Sequence, residues 1–221
     1  NATNANYFVV SARSSGEQWS GEGLSLFLVP ADAEGIELVS YRLMDGQVVA
    51  NVRFNNVSVP ATNALCEEGK AWPLMQAIAE DAILALSAEA VGVMGQLNAK
   101  TVEYTKTREQ FGVKISVFQA LQHRMVDTFM SYEQTKSLLY RAVCDVEADK
   151  PDRRESLLAL KIMIDKAGKH IYSEAIQLHG GMGITDELDI GHYAKRLMMI
   201  GTTFGDSMHH MGEFRELRYA S

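Results

Sequence analysis

The stretch Ile176-Gln177-Leu178-His179-Gly180-Gly181-Met182-Gly183-Ile184-Thr185 decides how this chain is read. A helical pattern runs into it through Leu157, Leu160, Ile164, Ala167, Ile171, Ala175 and Leu178, and stops at two adjacent glycines. A turn of the same kind, Arg108-Glu109-Gln110-Phe111-Gly112, closes an earlier helix marked by Leu86, Ala90, Val93, Leu97, Thr101 and Tyr104. Each turn sets polar side chains and glycine at the end of a long amphipathic helix. Such a composition suits backbone pressed closely against a large polar ligand.

Outward from these turns the helical period persists. A helix over 117–148 points Leu121, Met125, Phe129, Leu138, Leu139 and Val143 inward, and Pro151-Asp152 breaks it from the next. Thr185 is the expected N-cap of a fourth helix, with Asp186 and Glu187 where the helix dipole favours acids. A last helix is expected over 203–219. Residues 1–62 read differently. Segments 7–12, 24–29, 36–41 and 48–54 are rich in β-branched and aromatic residues, and turn signals such as Asp45-Gly46 separate them. Their connections are too short for parallel crossovers, so the strands are antiparallel. The expected architecture is α+β: a partial antiparallel β-domain over 1–62, then an antiparallel four-helix-type bundle over 63–221. The opening Asn1-Ala2-Thr3-Asn4-Ala5-Asn6 runs straight into an apolar strand, as though the chain were cut inside a domain. Any targeting signal would lie upstream of it.

Composition excludes several function classes. The net charge is −7 and the basic residues are scattered, chiefly along 100–108 and 161–169, at spacings that suit solvated helix faces. Nothing there would neutralise a run of phosphates, so nucleic acid is excluded as a partner. No apolar run approaches the roughly 20 residues that span a bilayer. Cys66 and Cys144 make neither a disulfide framework nor a zinc site and are expected to be buried or half-buried thiols. His209-His210 is a poor metal pair, because helix neighbours point about 100° apart. His179 is expected to hydrogen-bond within its turn. The eleven methionines suit a core or an adaptable acyl pocket.

The order of β region and bundle, with Gly23-Leu24-Ser25-Leu26-Phe27-Leu28-Val29-Pro30, Val52-Arg53-Phe54-Asn55-Asn56-Val57-Ser58-Val59-Pro60, Arg108–Gly112 followed by Phe118-Gln119, and Gln177–Gly183, resembles the last two domains of the acyl-CoA dehydrogenases. The family's N-terminal helical domain and first β-domain strands have no counterpart here. The resemblance implies FAD as cofactor, an acyl-CoA thioester as substrate, electron-transfer flavoprotein as acceptor and a bacterial cytoplasmic setting. It assigns the adenosine diphosphate half of FAD to Arg108, Phe111, Phe118, Gln119, Gln177, Gly180 and Gly181. Arg108 offers a forked permanent charge to pyrophosphate, the phenylalanines offer flat apolar surface, and the glutamines both donate and accept.

Desaturation of an acyl-CoA needs a carboxylate at the α-carbon and a polarised thioester carbonyl. In the family the carboxylate is a Glu immediately before a Gly, at the start of the last helix. Counting without gaps from Gly183 places that pair at Phe204-Gly205, so the acid is missing. A second family position for the base falls at Ala82. Three readings follow: a base-less subunit completed by a homologous partner, a substitute carboxylate at Asp206 or Asp81, or a flavin-binding or interaction subunit with no dehydrogenation of its own. The stretch from Gly191-His192-Tyr193-Ala194-Lys195-Arg196-Leu197 through Phe204-Gly205-Asp206 resembles the small subunit of the two-subunit pimeloyl-CoA dehydrogenase type, which favours the first.

Overall fold

The computed structural model describes residues 1–219, in two compact units, Asn1–Ala79 and Glu80–Ser221. The first unit holds four strands, β1 (Tyr7–Arg13), β2 (Leu24–Pro30), β3 (Ile36–Arg42) and β4 (Val48–Phe54). They pair as two separate antiparallel ribbons, β1 with β2 from Tyr7↔Pro30 to Arg13↔Leu24, and β3 with β4 from Ile36↔Phe54 to Arg42↔Val48. The change of composition at residue 62 precedes the end of this unit because the following loop returns to β2. Leu65 N–H donates to the Leu26 carbonyl at 2.9 Å, Gly69 N–H to Ser25 Oγ at 2.8 Å, and Ala71 N–H to the Leu24 carbonyl at 2.8 Å.

The helices are α1 (Trp72–Thr107), α2 (Gln119–Glu147), α3 (Arg153–His179), α4 (Ile190–Thr202) and α5 (Ser207–Tyr219). Among the described residues no helix is long and apolar enough to cross a membrane. The bundle is organised around α3. Every residue of its expected inward stripe, from Leu157 to Leu178, is buried. Ala90, Met94 and Leu97 of α1, Leu139 and Ala142 of α2, and Leu197 and Ile200 of α4 pack with that stripe in one core. Truncating a fully buried residue such as Leu160 to Ala in such a core costs about 2–5 kcal/mol.

Most polar residues buried in the bundle have partners; Ser87 Oγ and His210 Nδ1 have none among the described residues. Thr101 and Thr135 fold back on the carbonyls of Leu97 and Ser131 at 2.7 and 2.6 Å, which satisfies their hydroxyls inside the bundle. At the α2–α3 junction the buried Asp145 accepts from Ser156 Oγ at 2.6 Å and Lys150 Nζ at 2.5 Å, and these bonds hold its carboxyl down at about 2.

Several local expectations are corrected. Phe129 and Val143 point to the surface of α2, whose inward stripe is Thr128, Thr135, Leu139, Ala142 and Asp145. Cys144 is exposed. Lys161 lies within the core, not on a solvated face, at 1 % exposure. Thr185 caps no helix. A 3₁₀ turn over Gly180–Ile184 delays α4 until Ile190, and the Thr185 hydroxyl instead bonds the Met182 carbonyl at 3.0 Å.

Candidate functional site

Two places in the bundle carry the residues singled out from the sequence. The first is the end where α1 and α3 both stop. Tyr104, one turn before the end of α1, stacks on the last residue of α3, His179, with ring centroids 4.3 Å apart. His179 is buried and its Nδ1 is 2.8 Å from the Ala175 carbonyl, and burial pushes its imidazole below the ordinary value. This pair brings the two glycine-marked turns to one end of the bundle.

After α1 the chain makes a hairpin that the sequence reading missed. Strands β5 (Glu109–Gln110) and β6 (Val113–Lys114) pair across a two-residue loop, Phe111-Gly112. Both loop residues have positive φ, 56° and 78°, as a type I′ turn demands. Gly112 was the available signal, but phenylalanine in place of Asn or Asp concealed it. Phe111 is therefore held in a backbone region costly for a bulky residue while 91 % exposed. It meets Phe118 edge-on at 6.2 Å, and Gln119 opens α2 beside it, exposed. The Arg108 backbone is fixed by Tyr104 and Ile115, but its guanidinium has no hydrogen-bond or ion-pair partner among the described residues. Glu103, a conceivable partner, bonds Lys106.

Across the stack, Gln177 is exposed on the last turn of α3. Gly180 ends the helix at φ 59° and ψ −140°, a conformation only glycine tolerates well. A Cβ on Gly180 or Gly181 would meet nothing within 4 Å among the described residues, so their packing does not require a glycine at 181. Gly183 differs, since a Cβ there would lie 2.8 Å from the Ile176 carbonyl oxygen. The arrangement fits a nucleotide diphosphate: an unpaired guanidinium, exposed aromatic edges, two exposed amides and bare backbone share one end of the bundle.

The second place is the turn between α4 and α5. Phe204 and Gly205 again have positive φ, 58° and 101°. The Phe204 carbonyl accepts from Nε2 of the buried His210 at 2.9 Å, while its side chain is 48 % exposed. Its backbone N–H has no partner among the described residues. A Cβ on Gly205 would lie 2.6 Å from His209 Cδ2 and 2.8 Å from His210 Nε2. From beneath, α3 braces both sides of the turn. Lys161 Nζ donates to the carbonyls of Ile200 and Gly201 at 2.6 and 2.9 Å, and Asp165 Oδ2 accepts the Ser207 N–H at 3.1 Å. Burial pushes the Lys161 ammonium down to about 8. Burial and the neighbouring His209 lower the His210 imidazole as well.

Asp206 is engaged in capping. Its Oδ1 accepts the His209 N–H at 2.9 Å, and this bond holds the carboxyl below its usual range, which makes it a weaker base. Asp81 is exposed on α1 and Ala82 beside it is half-buried. Asp165 escaped the sequence reading, while Lys161 was read onto a solvated helix face and His210 only as half of a poor metal pair, because nothing in their spacing marks their burial.

Residues 70–212, well over half of the chain, match the family described as "Acyl-CoA dehydrogenase, C-terminal domain". A short-chain specific acyl-CoA dehydrogenase of Megasphaera elsdenii is 31 % identical over 142 residues, 64 % of this chain and 37 % of that protein. Among solved structures, an acyl-CoA dehydrogenase from Geobacillus kaustophilus superposes with a TM-score of 0.93 at 24 % identity, over 99 % of this chain and 58 % of that one. The Tcur3481-Tcur3483 steroid ACAD gives 0.82 at 29 % identity, over 99 % and 57 %. The matched part is thus under half of the Megasphaera protein and little more than half of the two structures.

Proposed function

The chain belongs to the acyl-CoA dehydrogenase family, and from that premise we propose that it is an FAD-binding subunit for α,β-desaturation of an acyl-CoA thioester, completed by a homologous partner subunit. The observation that carries this reading is the end of the bundle where Arg108, Phe111, Phe118, Gln119, Gln177, Gly180 and Gly181 lie exposed. A left-handed, exposed phenylalanine beside an unpaired guanidinium is costly to keep and makes sense against a ligand.

Arg108 would neutralise the pyrophosphate of FAD, Gln119 and Gln177 would bond ribose or purine edges, and Gly181 would let the backbone approach. FAD, when bound, supplies the acceptor for the hydride that leaves the substrate β-carbon. At the other place, Phe204 stands where the family's Glu is expected. Its unpartnered backbone N–H is suited to polarise a thioester oxygen, but its side chain accepts no proton. A carboxylate from the partner would then take the α-proton. The likeness of residues 191–206 to the pimeloyl-CoA type supports a two-subunit assembly. Electron-transfer flavoprotein would take the electrons onward.

The test is anaerobic bleaching of the flavin by a panel of acyl-CoAs, with the full-length protein alone and with its co-expressed partner. Bleaching only in the pair supports the base-less subunit. Bleaching by the single protein overturns it and directs attention to Asp206 and Asp81. A protein that retains FAD and is never bleached is a binding subunit alone.

A further inference from the structure

The flavin reading leaves unused three side chains on the first turns of α5: His209, His210 and Glu213. One ligating atom from each lies within 4.8 Å of the other two. The two histidines by themselves diverge, as neighbours on a helix must. Glu213 resolves this, because at 100° per residue it projects about 40° from His209 on the side toward His210, and so between them. His209 Nε2 is 3.8 Å from Glu213 Oε1, and His210 Nδ1 is 3.8 Å from Glu213 Oε2.

His210 supplies the second and independent sign. It is 2 % exposed, its Nε2 donates to the Phe204 carbonyl, and its Nδ1 is a buried polar atom with no hydrogen-bond partner among the described residues. A bond made through Nε2–H fixes the tautomer and leaves the Nδ1 lone pair aimed at Glu213. Buried acceptors are normally satisfied, so this one calls for a partner that the described residues do not provide. The pattern is that of a metal-binding imidazole, whose second nitrogen is anchored to a backbone carbonyl. Arg154 Nη2, 3.4 Å from Glu213 Oε1, orients the carboxylate.

We propose that His209, His210 and Glu213 form a binding site for a borderline divalent transition-metal ion, with Zn²⁺ the first candidate. Two imidazoles and one carboxylate suit Zn²⁺, Co²⁺ or Ni²⁺ and do not suit Ca²⁺ or Mg²⁺, which require oxygen ligands. Tetrahedral bonds of about 2.1 Å place neighbouring ligand atoms roughly 3.4 Å apart, so the 3.8 Å separations need to close only slightly. The exposed His209 is free to make that adjustment, and it leaves the fourth position open to solvent. The metal would sit one imidazole away from the Phe204 carbonyl, and would stiffen the turn that holds the family's base position.

Zn²⁺ alone is titrated into the untagged, chelator-stripped full-length protein by calorimetry, and Co²⁺ into a second sample followed by visible absorption. One ion per chain is expected, with Co²⁺ bands of a low-symmetry nitrogen and oxygen site. His209→Ala and Glu213→Gln should each weaken Zn²⁺ binding at least about tenfold, while His123→Ala on α2 leaves it unchanged. The exposed His209 makes its variant safe for folding, whereas His210→Gln tests the buried ligand only if the protein remains folded. Absence of Zn²⁺ binding at millimolar ion overturns the proposal, and so does binding that His209→Ala and Glu213→Gln do not weaken. No flavin or acyl-CoA enters this test, so its outcome stands apart from the dehydrogenase reading.

Discussion

Phe111-Gly112 and Phe204-Gly205 are the same dipeptide with positive φ at both residues, 56° and 78° in the first and 58° and 101° in the second. Their surroundings are opposite. Around Gly112 there is nothing among the described residues within 4 Å of where a Cβ would stand, and Phe111 is 91 % exposed. Around Gly205 two imidazoles crowd the same position, the Phe204 carbonyl is bonded by His210, and Lys161 and Asp165 brace the turn from α3. A left-handed phenylalanine is strained in both places, but different things hold it there. The hairpin is set by its own short-range pairing and faces outward, which suits a surface built for something outside the chain. The α4–α5 turn is imposed by the core beneath it. Positive φ at a bulky residue is therefore no single signal, and what lies behind the turn decides its meaning.

The largest effect is expected where the proposed chemistry is missing. Phe204→Glu in the full-length flavoprotein should raise the rate of flavin bleaching by acyl-CoA, without the partner, by about 10²–10⁴-fold. Stopped-flow absorbance checks this, and no gain would mean that the position does not face the α-carbon. Next, the two glycines should separate cleanly in urea denaturation. Gly205→Ala should cost about 3 kcal/mol, because a strained φ and a clash with His209 and His210 coincide. Gly112→Ala, strained but unobstructed, should cost about 1 kcal/mol. Equal losses would erase the distinction between the turns. Arg108→Ala and Phe111→Ala should leave stability within about 0.5 kcal/mol. Arg108→Ala should weaken FAD retention about tenfold or more, through loss of a charge-assisted contact. A stability loss with FAD retained would make the hairpin a structural element after all.

The finest probe is pH. Lys161 has its folded pKa lowered from 10.5 to about 8 by burial. Between those values the unfolded chain holds a proton that the folded chain has released. Stability therefore rises as pH climbs from about 8 to about 10.5, and the penalty for burying the cation is fully present below about 8. Unfolding free energies measured across that interval should rise more in the wild type than in Lys161→Met. Parallel curves would show that the ammonium is solvated.

The bundle was legible because α3 obeys a strict three-to-four spacing, which survives any detail of how it packs. The four strands were legible because the turns between them are marked by Gly, Ser and Asp. On α2 the apolar pattern misled: Phe129 and Val143 are surface residues, while Thr128 and Thr135 face inward with hydroxyls satisfied by their own helix. The residues proposed to face a nucleotide could be named in advance, because the family resemblance rests on their motifs at the ends of helices. Their convergence depended on the Tyr104–His179 stack, between residues far apart in the chain. His209 and His210 were set aside on sound geometry for a pair, but a third ligand one helical turn later changes the geometry.

The sequence alone determined the class of fold, the positions of the two glycine-marked turns and the absence of an acid at 204, because these depend on local spacing and residue identity. Only the tertiary structure decided that Lys161 is buried beneath α4, that Asp206 caps α5, and that His210 presents an unsatisfied nitrogen to Glu213. Those facts depend on which helix lies against which, and burial and hydrogen-bond partners are properties of that packing.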